Sequence, residues 1–145
     1  MGDTALGRVV AGAEPDPVDR LILDEAAALG GPSSPLAVVG DATGALAVAA
    51  AERFDLDVVR TFHDSVTDER ASDEAVRASF RSLQAVRFGL EPALFEGVRL
   101  VLLRLPKSLA ELDEIVRLVA AHAHPDVRIV AGGRIKHMSR GMNET

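Results

Sequence analysis

The sequence predicts an α/β fold: a doubly wound, mainly parallel sheet of about five strands with helices on both faces. Three observations predict it. Short apolar runs alternate five times with amphipathic segments, a pattern produced by parallel strands joined through crossover helices. The runs "LAVV" at 36–39 and "VRLVLLRLP" at 98–106 are apolar almost throughout, as strands buried on both faces must be. At 145 residues the chain has the length of one domain with a single core.

Composition narrows the function by exclusion. Hydrophobic residues make up 48% of the chain but aromatics only 3%, with no Trp or Tyr, so the core must be built from Val, Leu, Ile and Ala. The absence of cysteine removes disulfides, thiolate metal sites and cysteine nucleophiles together. No basic start followed by an apolar signal core opens the chain, and no run approaches the ~18 uninterrupted apolar residues of a membrane helix. A cytoplasmic protein with no membrane partner is expected. A net charge of −6 repels nucleic acid at long range, so any RNA contact has to be local.

The elements follow in order. Residues 1–18 are rich in Gly, Ala, Asp and Pro without a steady period and read as a loose leader to a domain over 19–145. "DRLILDEAAAL" at 19–29 places Leu21, Ile22, Glu25, Ala26 and Leu29 at helical spacing, and Gly30-Gly31-Pro32 stops it. A strand at 36–39 leads to a helix at 42–53. A second strand at 58–62 ends in "HDS", and residues 68–83 form an amphipathic helix through Val76, Phe80 and Leu83. "AVRF" at 85–88 is a short third strand, and the fourth, at 98–106, is stopped by Pro106. Ser108 opens the next helix, with Glu111 three residues on as a capping box and a buried stripe of Leu109, Leu112, Val116 and Val119. "VRIVAG" at 127–132 is the fifth strand.

The turn after the first strand, "GDATG", is where such a sheet offers a ligand the amino terminus of a helix. Gly40 and Gly44 suit a close backbone approach. Ala42 stands where the G-x-G-x-x-G fingerprint has its second glycine, and no Gly-Lys-Ser/Thr follows, so both phosphate-binding motifs are missing. Asp41 would repel a phosphate. Asp64 ends the second strand, where an acid accepts ribose hydroxyls in nucleotide-binding folds, although Asp-Ser there is equally a turn and helix cap. Gly40, Asp41, Gly44 and Asp64 are therefore the candidate cofactor residues. Lys107 lies in the loop after a central strand, and Arg134, Lys136, His137 and Arg140 form the one local basic cluster. Each is a candidate phosphate contact or ordinary solvated surface. His122 and His124, two apart on a helix, aim at different faces and make no metal site.

The order "VVGDATGAL", "HDSVTDERASDEAVR", "VRLVLLRLPKSLAELDEIVRLV", "VRIVAGGRIKHMS" resembles the amino-terminal domain of bacterial ribosomal RNA guanine-N2 methyltransferases of the methyltransferase-small superfamily. The resemblance runs from about residue 19 to the end and implies a class I methyltransferase, Rossmann-like fold. Enzymes of this family carry two such folds in tandem. The carboxyl-terminal copy binds S-adenosylmethionine and catalyses; the amino-terminal copy is held to have lost the cofactor and to help recognise RNA. The resemblance thus implies ribosomal RNA and a carboxyl-terminal catalytic domain as partners; by charge, Lys107, Arg134, Lys136 and Arg140 are the residues expected to contact the RNA. Where the amino-methylating members have Asn/Asp-Pro-Pro-aromatic, this chain has Arg104-Leu105-Pro106-Lys107, so no catalytic residue carries over. The chain stops before the last strands of a complete fold, and "KHMSRGMNET" reads as the opening of another helix of a longer enzyme. Two alternatives stand beside this reading. One is a domain that itself binds S-adenosylmethionine and transfers methyl groups; the other is an unrelated nucleotide-binding regulator.

Overall fold

Among the described residues, six strands form one sheet in the order β3-β2-β1-β4-β5-β6, parallel except for the last. The structure is a computed structural model and describes residues 14–29, 35–63, 65–78, 83–106, 108–132 and 136–137, with the backbone alone at 66, 136 and 137. In chain order the elements are α1 (Pro17–Ala28), β1 (Leu36–Val39), α2 (Ala45–Phe54), β2 (Val58–Phe62), α3 (Val66–Ala78), β3 (Gln84–Arg87), α4 (Pro92–Phe95), β4 (Leu100–Arg104), α5 (Leu109–His122), β5 (Arg128–Gly132) and β6 (Lys136–His137).

Strand periodicity divides the core into two halves. Leu36 and Val38 of β1, Leu100 and Leu102 of β4, and Val130 of β5 face α1 and α2, where they meet Ile22, Leu23, Ala26, Leu46, Ala47 and Ala50. Ala37, Val39, Val101, Leu103, Ile129 and Ala131 face α4 and α5, against Leu94, Phe95, Ile115 and Val119. The four residues of β1 and the first four of β4 are all buried, which explains why these two strands carry no alternation in the sequence. They are neighbours, with Leu36 to Val39 in register with Leu100 to Leu103. The strand order reverses between β1 and β4, so the crevice of the sheet opens beyond the carboxyl ends of this pair.

Several boundaries differ from the sequence expectation for physical reasons. The first helix starts at Pro17, inside the presumed leader: Asp16 caps it, and Asp16 and Asp19 each accept the other's backbone amide in a reciprocal capping box. Its buried face is Asp19, Ile22, Leu23 and Ala26, and Leu21 is exposed. Helix α2 begins at Ala45 rather than 42, because residues 41–44 form the turn. On α3 the buried positions are Ser72 and Ala75, with Val76 half-buried; Leu83 lies outside the helix but still packs on the core. Phe80 lies outside the described residues. On α5, Leu109 is 83% exposed at the first turn, where the strands have ended, and Ile115 takes the buried place beside Val119. Ser108 caps α5 by accepting the Glu111 amide at 3.1 Å. The helix ends at His122, so His124 lies beyond it and accepts the Asp126 amide.

Two elements had no counterpart in the expectation. Helix α4 is a single turn between β3 and β4 whose carbonyls at Ala93 and Glu96 accept from the Arg60 guanidinium of β2. Residues 136–137, expected to open a helix, instead run antiparallel to β5 as β6.

The double-sided burial of β4 predicts the effect of a charge placed within it. Leu103→Asp puts a carboxylate with no partner under α4 and α5 and should remove more than about 4 kcal/mol of stability. Loss of the cooperative thermal transition by circular dichroism checks it; an unchanged midpoint contradicts this placement of the strand.

Candidate functional site: the carboxyl edge at β1 and β4

The crevice position is built from the turn after β1, the last residue of β4, the first turn of α1 and the flank of α3. Gly40 and Gly44 both adopt left-handed backbone conformations, with φ of +85° and +86°. Each is also pressed from outside. A Cβ on Gly40 would stand 2.8 Å from the Arg104 carbonyl oxygen, and one on Gly44 would stand 2.7 Å from the Ala75 Cβ and 2.8 Å from the Ser72 Cα. The two glycines thus let β4 and α3 close against the turn.

Asp41 lies between them and is 1% exposed. One carboxylate oxygen accepts from the amides of Gly44 (3.1 Å) and Leu46 (3.4 Å), the other from the amide of Ala47 (3.0 Å). Those amides belong to the amino terminus of α2, which carries the positive end of the helix dipole. An internal carboxylate therefore takes the donors that this fold can offer to an anion. His63, buried just past β2, sits 2.8 Å from the Asp41 carbonyl through Nδ1; since a carbonyl only accepts, Nδ1 carries the proton.

Arg104, the last residue of β4, closes the other side. Its guanidinium donates to both carboxylate oxygens of Asp16 at 2.9 Å and to Asp19 at 2.8 Å. The Asp19 side chain is 4% exposed and that of Arg104 28%, so this pair is shielded while Asp16 stays at the surface. The two acids that cap α1 therefore also fasten it to β4.

Charge at this edge is finely set. Burial pushes the Asp41 carboxyl above its ordinary value of 3.8, and the neighbouring Asp19 charge adds to this; the Ala47 and Leu46 amides and the His63 charge oppose it. For Asp16, partial burial also works upward, but the Asp19 amide and Arg104 outweigh it and hold the carboxyl below 3.8. Burial weakens the charge on Arg104, and its hydrogen bonds to Asp19 and Asp16 more than offset that, leaving it more firmly protonated than usual.

The site residues expected from sequence divide sharply. Gly40, Asp41 and Gly44 come together at the turn. Asp64, Lys107, Arg134 and Arg140 lie outside the described residues, and Lys136 is placed only as a backbone position on β6. Residues absent from the expectation are Asp16, Asp19, Arg104, His63 and Ser72. The first two had a legible signal, an Asp-Pro-x-Asp start with Pro at the first helical position. Among the described residues no group of His, Asp or Glu could hold a metal ion, and no helix is long and apolar enough to cross a membrane.

A family model described as the RLMG N-terminal domain matches residues 16–145. The chain belongs to this family. Its match begins at Asp16, so α1 and its acids lie within the RLMG N-terminal domain. A curated relative, ribosomal RNA large subunit methyltransferase G of Cronobacter sakazakii, is 34% identical over 111 residues, covering 72% of this chain and 27% of that protein. The chain thus spans about a quarter of the length of that relative. Among solved structures, geranyl diphosphate methyltransferase in complex with GPP and sinefungin aligns with a TM-score of 0.62 at 18% identity, over 78% of this chain and 42% of that one. Precorrin-6y C5,15-methyltransferase from Geobacter metallireducens aligns with a TM-score of 0.60 at 13% identity, over 79% and 60%. At such identities the likeness is one of fold, and it makes the RLMG N-terminal domain a class I methyltransferase-like sheet.

Two outcomes follow from the turn. Gly44→Ala forces a left-handed alanine, costing about 1–2 kcal/mol, onto a backbone contact with α3 that adds about 1–3 kcal/mol, so the thermal midpoint should fall by several degrees. The pH dependence follows from Asp41. Its raised folded value means that the folded state holds the proton more tightly, so its contribution is full below 3.8 and declines as pH rises through the folded value. Asp41→Asn should therefore flatten the part of the stability profile that falls as pH rises above 3.8, measured by urea unfolding at a series of pH values.

Proposed function

We propose that this chain is the non-catalytic amino-terminal domain of an S-adenosylmethionine-dependent ribosomal RNA guanine-N2 methyltransferase of the cytoplasm. In that enzyme it supports recognition of the RNA and adjoins a carboxyl-terminal catalytic domain. The observation that carries the reading is the Asp41 carboxylate on the Gly44, Leu46 and Ala47 amides, the donors nearest the crevice. The residues present do not fit the cofactor. Asp41 already fills the anion position, Ser72 and Ala75 press on Gly44, and Arg104 is tied to Asp16 and Asp19. Arg104 also stands where an acceptor for the target amine is needed, and a guanidinium only donates.

The RNA role rests on topology and charge. Strands β4 and β5 are parallel neighbours with Arg104 and Gly132 as register partners, so both end at the same edge of the sheet, three residues before Lys107 and two before Arg134 in the sequence. In a chain of net charge −6 those residues, with Lys136 and Arg140, are the local basic set available to phosphates.

Calorimetric titration of the chain with S-adenosylmethionine tests the cofactor reading: no binding is expected. Micromolar affinity abolished by Asp64→Ala would overturn it in favour of a methyl-transferring domain. In the full-length enzyme, Lys136→Glu with Arg140→Glu should weaken RNA binding and lower the slope of log affinity against log salt by about 0.7 to 0.9 per lost phosphate contact. Wild-type methylation rates across a salt series would instead leave the domain a packing role.

A further inference from the structure

Three carboxylates, Asp16, Asp19 and Asp41, converge on the carboxyl edge of β1 and β4, and Arg104 is the cation that contacts two of them. Asp19 is the link. One of its oxygens accepts from Arg104 and the other from the Asp16 amide, while its charge is felt at Asp41. Asp41 cannot turn to solvent, being buried on the α2 amides. The Arg104 carbonyl stands 2.8 Å from the place a Cβ on Gly40 would take, which brings the residue that holds Asp19 against the residue before Asp41; two buried carboxylates that act on each other resist being charged together unless a cation offsets one of them.

The geometry points to α1 as a strap across the carboxyl edge with Arg104 as its clasp: by pairing with Asp19, the guanidinium lets Asp41 remain seated on the α2 amides. The clasp on β4 and the closed turn on β1 then open and close together. This rests on the closed-crevice reading above and adds what holds the crevice closed. The strap has the contacts to act as one piece. Ile22 and Val18 press on the end of β5 so tightly that a Cβ on Gly132 would stand 2.6 Å from Ile22 and 2.8 Å from Val18. Asp19 from α1 and His63 from the end of β2 are charged groups that act on Asp41, and Arg104 and Asp16 are bonded to Asp19 or to its capping turn. Arg104 is thus a positioning residue for the first turn, although its side chain does not bond to that turn.

The test is made on the 145-residue chain by nuclear magnetic resonance. In Arg104→Met the amides of Gly44, Leu46 and Ala47 should exchange with solvent at least about tenfold faster while those of α5 keep their protection, which separates local opening from global unfolding. The Asp41 carboxyl should titrate at higher pH in Arg104→Met and return toward the wild-type position in Arg104→Met with Asp19→Asn. Unchanged exchange and an unmoved Asp41 titration overturn the proposal. If Arg104→Met does not fold, Asp19→Asn alone decides: removing the repelling charge should move the Asp41 titration down, and no movement overturns the coupling. Binding of S-adenosylmethionine by the wild-type chain would contradict the cofactor reading alone and leave this coupling to stand or fall on its own measurements.

Discussion

A carboxylate that loses its water must regain every hydrogen bond from the protein, and Asp41 regains them from the amides that open α2. That single arrangement decides much else. It requires the chain to turn back beneath the helix, which places Gly40 and Gly44 in left-handed conformations. It uses the amides that would otherwise face a ligand. It also puts a buried negative charge at the point where β1 and β4 diverge, and the surrounding groups must accommodate it.

The accommodation is visible in the neighbours. His63 donates to the carbonyl of the same aspartate, and Arg104 draws the charge of Asp19 toward β4. Removing Arg104 would leave Asp19 buried without its cation, and the strain falls on the edge of the sheet where the two meet. Its bonds to the exposed Asp16 add far less, since surface ion pairs contribute about 0–1 kcal/mol. Asp19 matters through its burial. The Arg87–Asp73 and Arg53–Asp24 pairs are exposed on both sides and belong to the weak class.

The methyltransferase-like sheet is shared with proteins at 13–18% identity, which is the level at which a core survives while its edges diverge. The connection from β3 to β4 carries a single helical turn, α4, anchored by the Arg60 guanidinium. The interior is close-packed and tolerates little, so change accumulates where loops meet solvent.

The sequence by itself determined the layered α/β architecture, because the all-apolar runs at 36–39 and 100–103 have no stable home except between two helical layers. It also marked the turn after β1 through its two glycines, and the Ser108 cap, since these are signals within a few residues of chain. Helix faces were legible only in part: Leu21 and Leu23 lie two positions apart, on different sides of α1, and packing against β4 and β5 buries Leu23 and leaves Leu21 exposed. Tertiary structure alone decided the site. Whether the Asp41 carboxylate faced outward or turned inward was decided by the folded turn, which seats it on the amides of Gly44, Leu46 and Ala47. Asp19 and Arg104 lie 85 positions apart and meet only after β4 has paired with β1 and α1 has crossed the sheet. Hydrophobic period and turn chemistry are local and can be read along the chain; the partner of a charge is set by the folded path that brings it there.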